Sequence, residues 1–155
     1  MNKKFTKNKV VVITGGAKKI GRSTALKLAE QGFNILIHTG GKSINDAKTT
    51  VKLVKEYKVN SNFISGDLDN IKTIKKIKIA AEKLGVPSIL INNAGLRIYD
   101  NFEKIKYKDW KKVMSVNVDA SFLCAQALIG HMTKQKWGRI INVGGLSAHI
   151  GAKEI

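Results

Sequence analysis

Hydrophobic positions along this chain fall into two alternating rhythms: short solid apolar runs, and longer stretches whose apolar residues recur every three or four positions. Lys9–Thr14 (KVVVIT) is a β-branched run closed by glycines, which predicts a parallel strand buried on both faces. Ile20–Gln31 follows with apolar residues at 20, 25, 26, 28 and 29, a helical stripe that Gly32 stops. Asn34–His38 (NILIH) predicts a second strand, and Ser43–Tyr57 a second helix with Val51, Leu53 and Val54 facing inward. Asn62–Ser65, Asn70–Leu84 and Ser88–Ile91 repeat the cycle as strand, helix and strand. Tyr107–Gln135 is then one long helical stretch, and Gly138–Val143 (GRIINV) a fifth strand. Strands that alternate with helices pair in parallel through right-handed crossovers, with helices covering both faces. The pattern therefore predicts an α/β fold, a Rossmann-type three-layer sandwich around a mostly parallel sheet of about five strands. No internal repeat, linker or low-complexity tract divides residues 1–155, which read as a single domain.

Composition narrows this picture in a few places. Cys124 is the only cysteine, so neither an intrachain disulfide nor a multi-cysteine zinc cluster is possible, and a reducing cytoplasm is the expected location. The apolar run after the basic N-terminus is too short for a signal peptide or a membrane span, and no membrane association is expected. His38, His131 and His149 lack metal-ligand spacing and read as surface or loop histidines, so no metal is expected. Cys124, beside Phe122, Leu123 and Leu128, reads as a buried small hydrophobe, and Trp110 as a core or interface residue.

The net charge of +17 invites a nucleic-acid or anionic-surface reading. However, 25 of the 28 cations are lysines, and they lie scattered on helical polar faces rather than gathered with aromatics. A solvated lysine-rich surface accounts for them, and no nucleic-acid partner is expected.

The chemistry begins after the first strand. Thr14-Gly15-Gly16-Ala17-Lys18-Lys19-Ile20-Gly21-Arg22 opens directly into a helix. Gly15 permits the sharp turn and Gly21 a close approach of the helix, whose N-terminus offers free N–H groups and a positive dipole end to a pyrophosphate. A glycine loop alone is weak evidence, but here the strand–turn–helix context agrees.

Further landmarks stand in a set order. Asp67-Leu68 follows the third strand and Asn92-Asn93-Ala94-Gly95 the fourth, while Val116-Asn117-Val118 lies in the long helix and Gly138–Val143 forms the fifth strand. Together these resemble the short-chain dehydrogenase/reductases, with the family's Thr-Gly-x-x-x-Gly-x-Gly loop carrying Lys19 at its middle glycine. A basic residue there is similar to the loops of pteridine reductases. The resemblance implies an oxidoreductase moving a hydride between a nicotinamide dinucleotide and a carbonyl or alcohol, in the manner of 3-oxoacyl-carrier-protein reductases. It implies cofactor contacts from Gly15, Lys18, Lys19, Ile20, Gly21, Lys42, Ser43, Asp67, Leu68, Asn93, Ala94 and Gly95. No acid closes the second strand before Asp46, and cations suit a 2′-phosphate, so NADP(H) is expected in preference to NAD(H).

Catalysis is the weaker carry-over. Asn117 matches the family's structural and catalytic asparagine. The family serine position falls on Gly145, and Ser147 either replaces it or caps the next turn. The family's Tyr-x-x-x-Lys belongs after the fifth strand, where the remaining residues to Ile155 hold no tyrosine; Tyr107–Lys111 spells the motif on the wrong helix. The chain thus resembles the front portion of the family, incomplete relative to it. The alternative to an enzyme is a dinucleotide-binding module without catalysis. The family also pairs through its long helix, so a homo-oligomer through 107–135 is expected, with a small-molecule or acyl-thioester carbonyl as substrate.

Overall fold

In the computed structural model, which describes residues 3–145, five strands form one parallel sheet in the order β3-β2-β1-β4-β5. A short helical turn α1 (Lys3–Thr6) leads into β1 (Lys9–Ile13), followed by α2 (Lys19–Glu30), β2 (Asn34–Thr39) and α3 (Ile44–Lys55). Then come β3 (Ser61–Ser65), α4 (Ile71–Leu84), β4 (Val86–Asn92), α5 (Tyr107–Met114), α6 (Ala120–Lys134) and β5 (Arg139–Asn142). The five predicted strands and the three predicted helices up to Leu84 appear, with ends shifted by at most two residues.

The solid apolar runs become the central strands because both their faces are covered. Val11, Ile13, Ile35 and Ile37 meet Ala25, Ala29 and Val54 of α2 and α3 on one side. Val10, Val12, Leu36 and Leu90 meet Ile74 and Ile77 of α4 and Cys124 and Leu128 of α6 on the other. The chain winds outward from β1 to β3, then crosses back to β4 and β5. That reversal opens a crevice at the carboxyl ends of β1 and β4, where open α/β sheets place their ligands.

Two sequence expectations need correction. The stretch 107–135 is not one regular helix: a π-helical segment, Ser115–Asp119, separates α5 from α6. Across this segment Tyr107–Lys134 is long and apolar enough to cross a membrane by length and composition alone. In this fold, Ala120, Cys124, Leu128 and Met132 pack it against the sheet as a wall of the domain. His38 is no loop histidine but a buried residue of β2, on the face shared with Leu36. Of the two readings of Trp110, core or interface, its 52% exposure on α5 leaves the interface one.

The outer strand β5 differs from the rest, all four of its residues being exposed. Its start is tied down by an aromatic cluster. Phe5 of α1 meets Trp137 edge to face at 5.2 Å, and Lys9 Nζ lies 4.7 Å from the Phe5 ring and 5.5 Å from that of Trp137.

Candidate functional site

Two loops meet at the crevice and lock together. The Thr14 hydroxyl, directly after β1, accepts bonds from the backbone N–H groups of Asn93 and Ala94, each at 3.0 Å. In return Asn93 Nδ2 donates to the carbonyls of Thr14 at 3.0 Å and Gly15 at 3.1 Å. The Thr-Gly turn and the Asn-Asn-Ala-Gly turn are therefore one hydrogen-bonded unit.

The glycines are demanded by this fit. Gly15 has φ +62°, and a Cβ there would lie 2.9 Å from Ala94 Cα. A Cβ on Gly21 would sit 2.5 Å from the Gly15 carbonyl oxygen and 2.7 Å from Gly16 Cα. Both clashes are with backbone, so neither can be relieved by a side chain swinging away. What excludes a side chain at Gly15 is the facing turn, not only room for a ligand. Lys19, standing where the family has glycine, has φ +49° and bears the left-handed conformation that glycine adopts without cost.

The α2 N-terminus carries no side-chain cap and no acid in its first turn, which leaves its positive end open toward an anion. Two clefts adjoin at Ala94, Gly95 and Leu96. The smaller, about 280 Å³, brings together Gly15, Lys18, Ser43, Asp67, Leu68, Ala94 and Gly95 of the predicted contacts. The larger, about 1210 Å³, takes Ile20, Asn93 and Asn117, and is also walled by Trp110, Phe122, Asn142 and Gly145. Lys19, Gly21 and Lys42 line neither cleft. Ser147 lies outside the described residues.

Asn117 occupies the π-helical segment, and both ends of its amide are engaged. Oδ1 accepts from Leu96 N at 2.8 Å and Nδ2 donates to Leu96 O at 3.0 Å. The side chain thus positions the loop after Gly95 rather than bonding within its own helix. Tyr107 is 73% exposed, and neither it nor Lys111 lines the larger cleft. Among the described residues no group of three or more potential metal-ligating side chains occurs.

Sequence reasoning missed His38, Thr39 and Lys112, which also line the smaller cleft. Lys112 donates to the Asp69 carboxylate and ties α5 to the turn after β3; that bond raises the lysine's pKa above its ordinary value. In the sequence Lys112 is indistinguishable from the neighbouring Lys108 and Lys111. Cys124 is buried as expected, and burial pushes its thiol up to about 11, so it stays protonated and inert at neutral pH.

His38 Nε2 lies 2.8 Å from the Gly66 carbonyl, to which it donates in the neutral ring. Burial holds the imidazole below its ordinary 6.5, against the opposing influence of that bond and of Asp67. Below pH 6.5 the unfolded chain takes up a proton that the folded chain resists. Stability is therefore full above that pH and falls as pH drops toward the folded value, by at most about 1.4 kcal/mol per pH unit for this one group. We expect the urea midpoint to decline between pH 7 and pH 5.5, and His38→Gln to decline less. Equal declines would show that other groups govern the acid limb.

Strand order, the crevice at the sheet's reversal and the interlocked glycine turn define a Rossmann-type α/β domain. The short chain dehydrogenase family pattern matches residues 9–155, and the chain belongs to that family of oxidoreductases. It is 34% identical over 149 residues to the L-rhamnose 1-dehydrogenase (NADP(+)) of Thermoplasma acidophilum, an alignment covering 95% of this chain and 58% of that protein. A 3-oxoacyl-[acyl-carrier-protein] reductase of Staphylococcus epidermidis is 32% identical over 145 residues, covering 93% of this chain and 59% of the reductase. The crystal structure of acetoin dehydrogenase from Salmonella typhimurium superposes with a TM-score of 0.88 at 32% identity, over 95% of this chain and 58% of that one. The chain thus spans somewhat over half the length of these relatives.

Proposed function

We propose that this chain is the cofactor-binding part of an NADP-dependent oxidoreductase acting on a carbonyl or alcohol. The observation that carries this reading is the uncapped N-terminus of α2, set behind the Gly15 turn and bearing Lys18 beside the smaller cleft. The residues fit a dinucleotide: a glycine turn with no room for a Cβ, an open helix N-terminus, and two clefts joined at Ala94–Leu96.

The nicotinamide, when bound, supplies the hydride acceptor or donor. The chain's own residues bind and orient it. The first turn of α2 receives the pyrophosphate, and Asp67 and Leu68 border the adenine end. Ala94 and Gly95 form the floor common to both clefts, and Asn117 fixes that floor through Leu96. The larger cleft, with apolar Ile20, Trp110, Val113 and Phe122, suits a small-molecule or acyl-thioester carbonyl. One similar protein bears NADP(+) in its name and another is named a 3-oxoacyl-[acyl-carrier-protein] reductase, which supports both halves of the reading.

The residues after β2, Gly40-Gly41-Lys42, present no carboxylate to repel a 2′-phosphate. NADPH is therefore expected to bind at least about tenfold more tightly than NADH, a difference of roughly 1.4 kcal/mol. Calorimetric titration with both cofactors checks it, and equal or reversed affinities would overturn the phosphate argument. A second reading, a dinucleotide-binding module without catalysis, is favoured by the exposure of Tyr107 away from the larger cleft. NADPH oxidation by the 155-residue chain against ketones, 3-oxoacyl thioesters and pterins separates the two, since turnover abolished by Tyr107→Phe would remove the second.

A further inference from the structure

We propose that Asp46 is a specificity-determining residue of the cofactor site, holding Lys18 in an ion pair that a ribose 2′-phosphate must displace. The inference rests on the NADP reading above and adds to it a residue that does not itself line the cleft. In sequence Asp46 is merely the first acid after β2; in space it sits between the two cations of the glycine loop. Its Oδ2 lies 3.8 Å from Lys18 Nζ and its Oδ1 3.5 Å from Arg22 Nη2.

The two cations are held very differently. Arg22 is rooted: Nε donates to Thr50 Oγ1 at 2.7 Å and to the Ala17 carbonyl at 3.2 Å, and Nη2 also reaches the Asp46 carbonyl at 3.4 Å. Thr50 is fully buried and itself donates to the Ala17 carbonyl at 2.7 Å, so this network braces the loop against α3. Arg22 therefore fixes where the Asp46 carboxylate stands. Lys18, by contrast, keeps a half-exposed side chain and a long ion pair.

Lys18 lines the smaller cleft beside Thr39, Gly40 and Ser43, whereas Asp46 does not line it. The ammonium can thus face either the carboxylate on the α3 side or an anion within the cleft. A phosphate dianion offers more charge and more acceptor oxygens than a carboxylate and takes the lysine when present. When the cofactor lacks that phosphate, Lys18 stays with Asp46 and meets no unfavourable change. Asp46 accordingly lowers the affinity for the phosphorylated cofactor alone, by the strength of one solvent-screened ion pair.

The test is titration of NADPH and NADH into the 155-residue chain and its variants, with thermal melts alongside. Asp46→Asn keeps the shape and first-turn position of the side chain and should tighten NADPH by about threefold to fivefold, with NADH changed less than about twofold. Lys18→Gln should weaken NADPH by about tenfold and spare NADH, and in that background Asp46→Asn should gain nothing. Unchanged or weakened NADPH binding in a folded Asp46→Asn variant overturns the proposal, as does the same gain with and without Lys18. Should Asp46→Asn prove unstable, the Lys18→Gln titration still decides, because equal loss of both cofactors would remove Lys18 from the phosphate site. Failure of the NADP reading shows separately, as a wild-type chain without preference between the cofactors.

Discussion

Gly15→Val is expected to abolish dinucleotide binding and to destabilise the fold by about 2–5 kcal/mol, adding left-handed strain to overpacking. Gly15 stands at φ +62° with Ala94 Cα only 2.9 Å from where a Cβ would be placed. A β-branched side chain tolerates that backbone conformation worst of all. To admit it, the Thr14–Gly15 turn must part from the Asn93–Ala94 turn, breaking the four bonds that link them through Thr14 and Asn93. Ala94 and Gly95 are shared by both clefts, so displacing them disturbs the adenosine and nicotinamide ends together. A loss of affinity of about 100-fold or more follows if reorganisation costs about 3 kcal/mol. Gly130→Ala supplies the control, since a Cβ there meets nothing within 4 Å and the residue lies on α6, lining neither cleft. Calorimetry and thermal melts of the two variants decide the matter. A folded Gly15→Val chain with unchanged NADPH affinity would place the cofactor elsewhere.

The second large effect concerns association. β5 offers Ile140 and Ile141 at 38% and 47% exposure, Val143 directly after it is 46% exposed, and the adjoining helical wall adds Phe122 at 63% and Val118 at 50%. Pairing with β4 uses one edge of β5, and no further strand of the described sheet uses the other. An apolar strand with a free edge is a template for pairing with another chain. The chain is therefore expected to self-associate despite its charge of +17, with a melting temperature that rises with protein concentration. Light scattering and melts at two concentrations test this, and Ile141→Lys should reduce the association by placing a charge on the strand. A monodisperse monomer whose melting temperature is independent of concentration would show that these surfaces are not adhesive.

What could be read in advance follows from which forces are local. β1 and β2 were legible because strands covered on both faces need unbroken apolar runs, and KVVVIT and NILIH have them. The glycine turn and the Asn-Asn-Ala-Gly turn were legible as a family pattern, though only the structure shows that Thr14 and Asn93 bolt them together. The short α1 escaped notice because four residues carry no period, and its Phe5 is ordered by Trp137, far away in sequence. A polar residue ending an apolar run reads as exposed, but His38 is buried because Gly66 supplies a partner for its Nε2. Asp46 lies seven residues beyond β2 in the chain, and only folding sets it between Lys18 and Arg22.

The π-helical segment Ser115–Asp119 sets the angular phase between the two halves of the long helical wall. Each residue of an α-helix turns its successor by about 100°, so one extra residue in a wide turn rotates everything beyond it by that amount relative to an uninterrupted helix. Before the segment Lys112 meets Asp69, and after it Ala120, Cys124, Leu128 and Met132 face the sheet, so the segment lies between two sets of contacts whose relative phase it fixes. The wide turn acts as a fixed gear between them, and Asn117 sits on it, bonded to Leu96. Insertions or deletions between Met114 and Ala120 are consequently more damaging than substitutions there, for they leave every residue type in place and aim each one in the wrong direction.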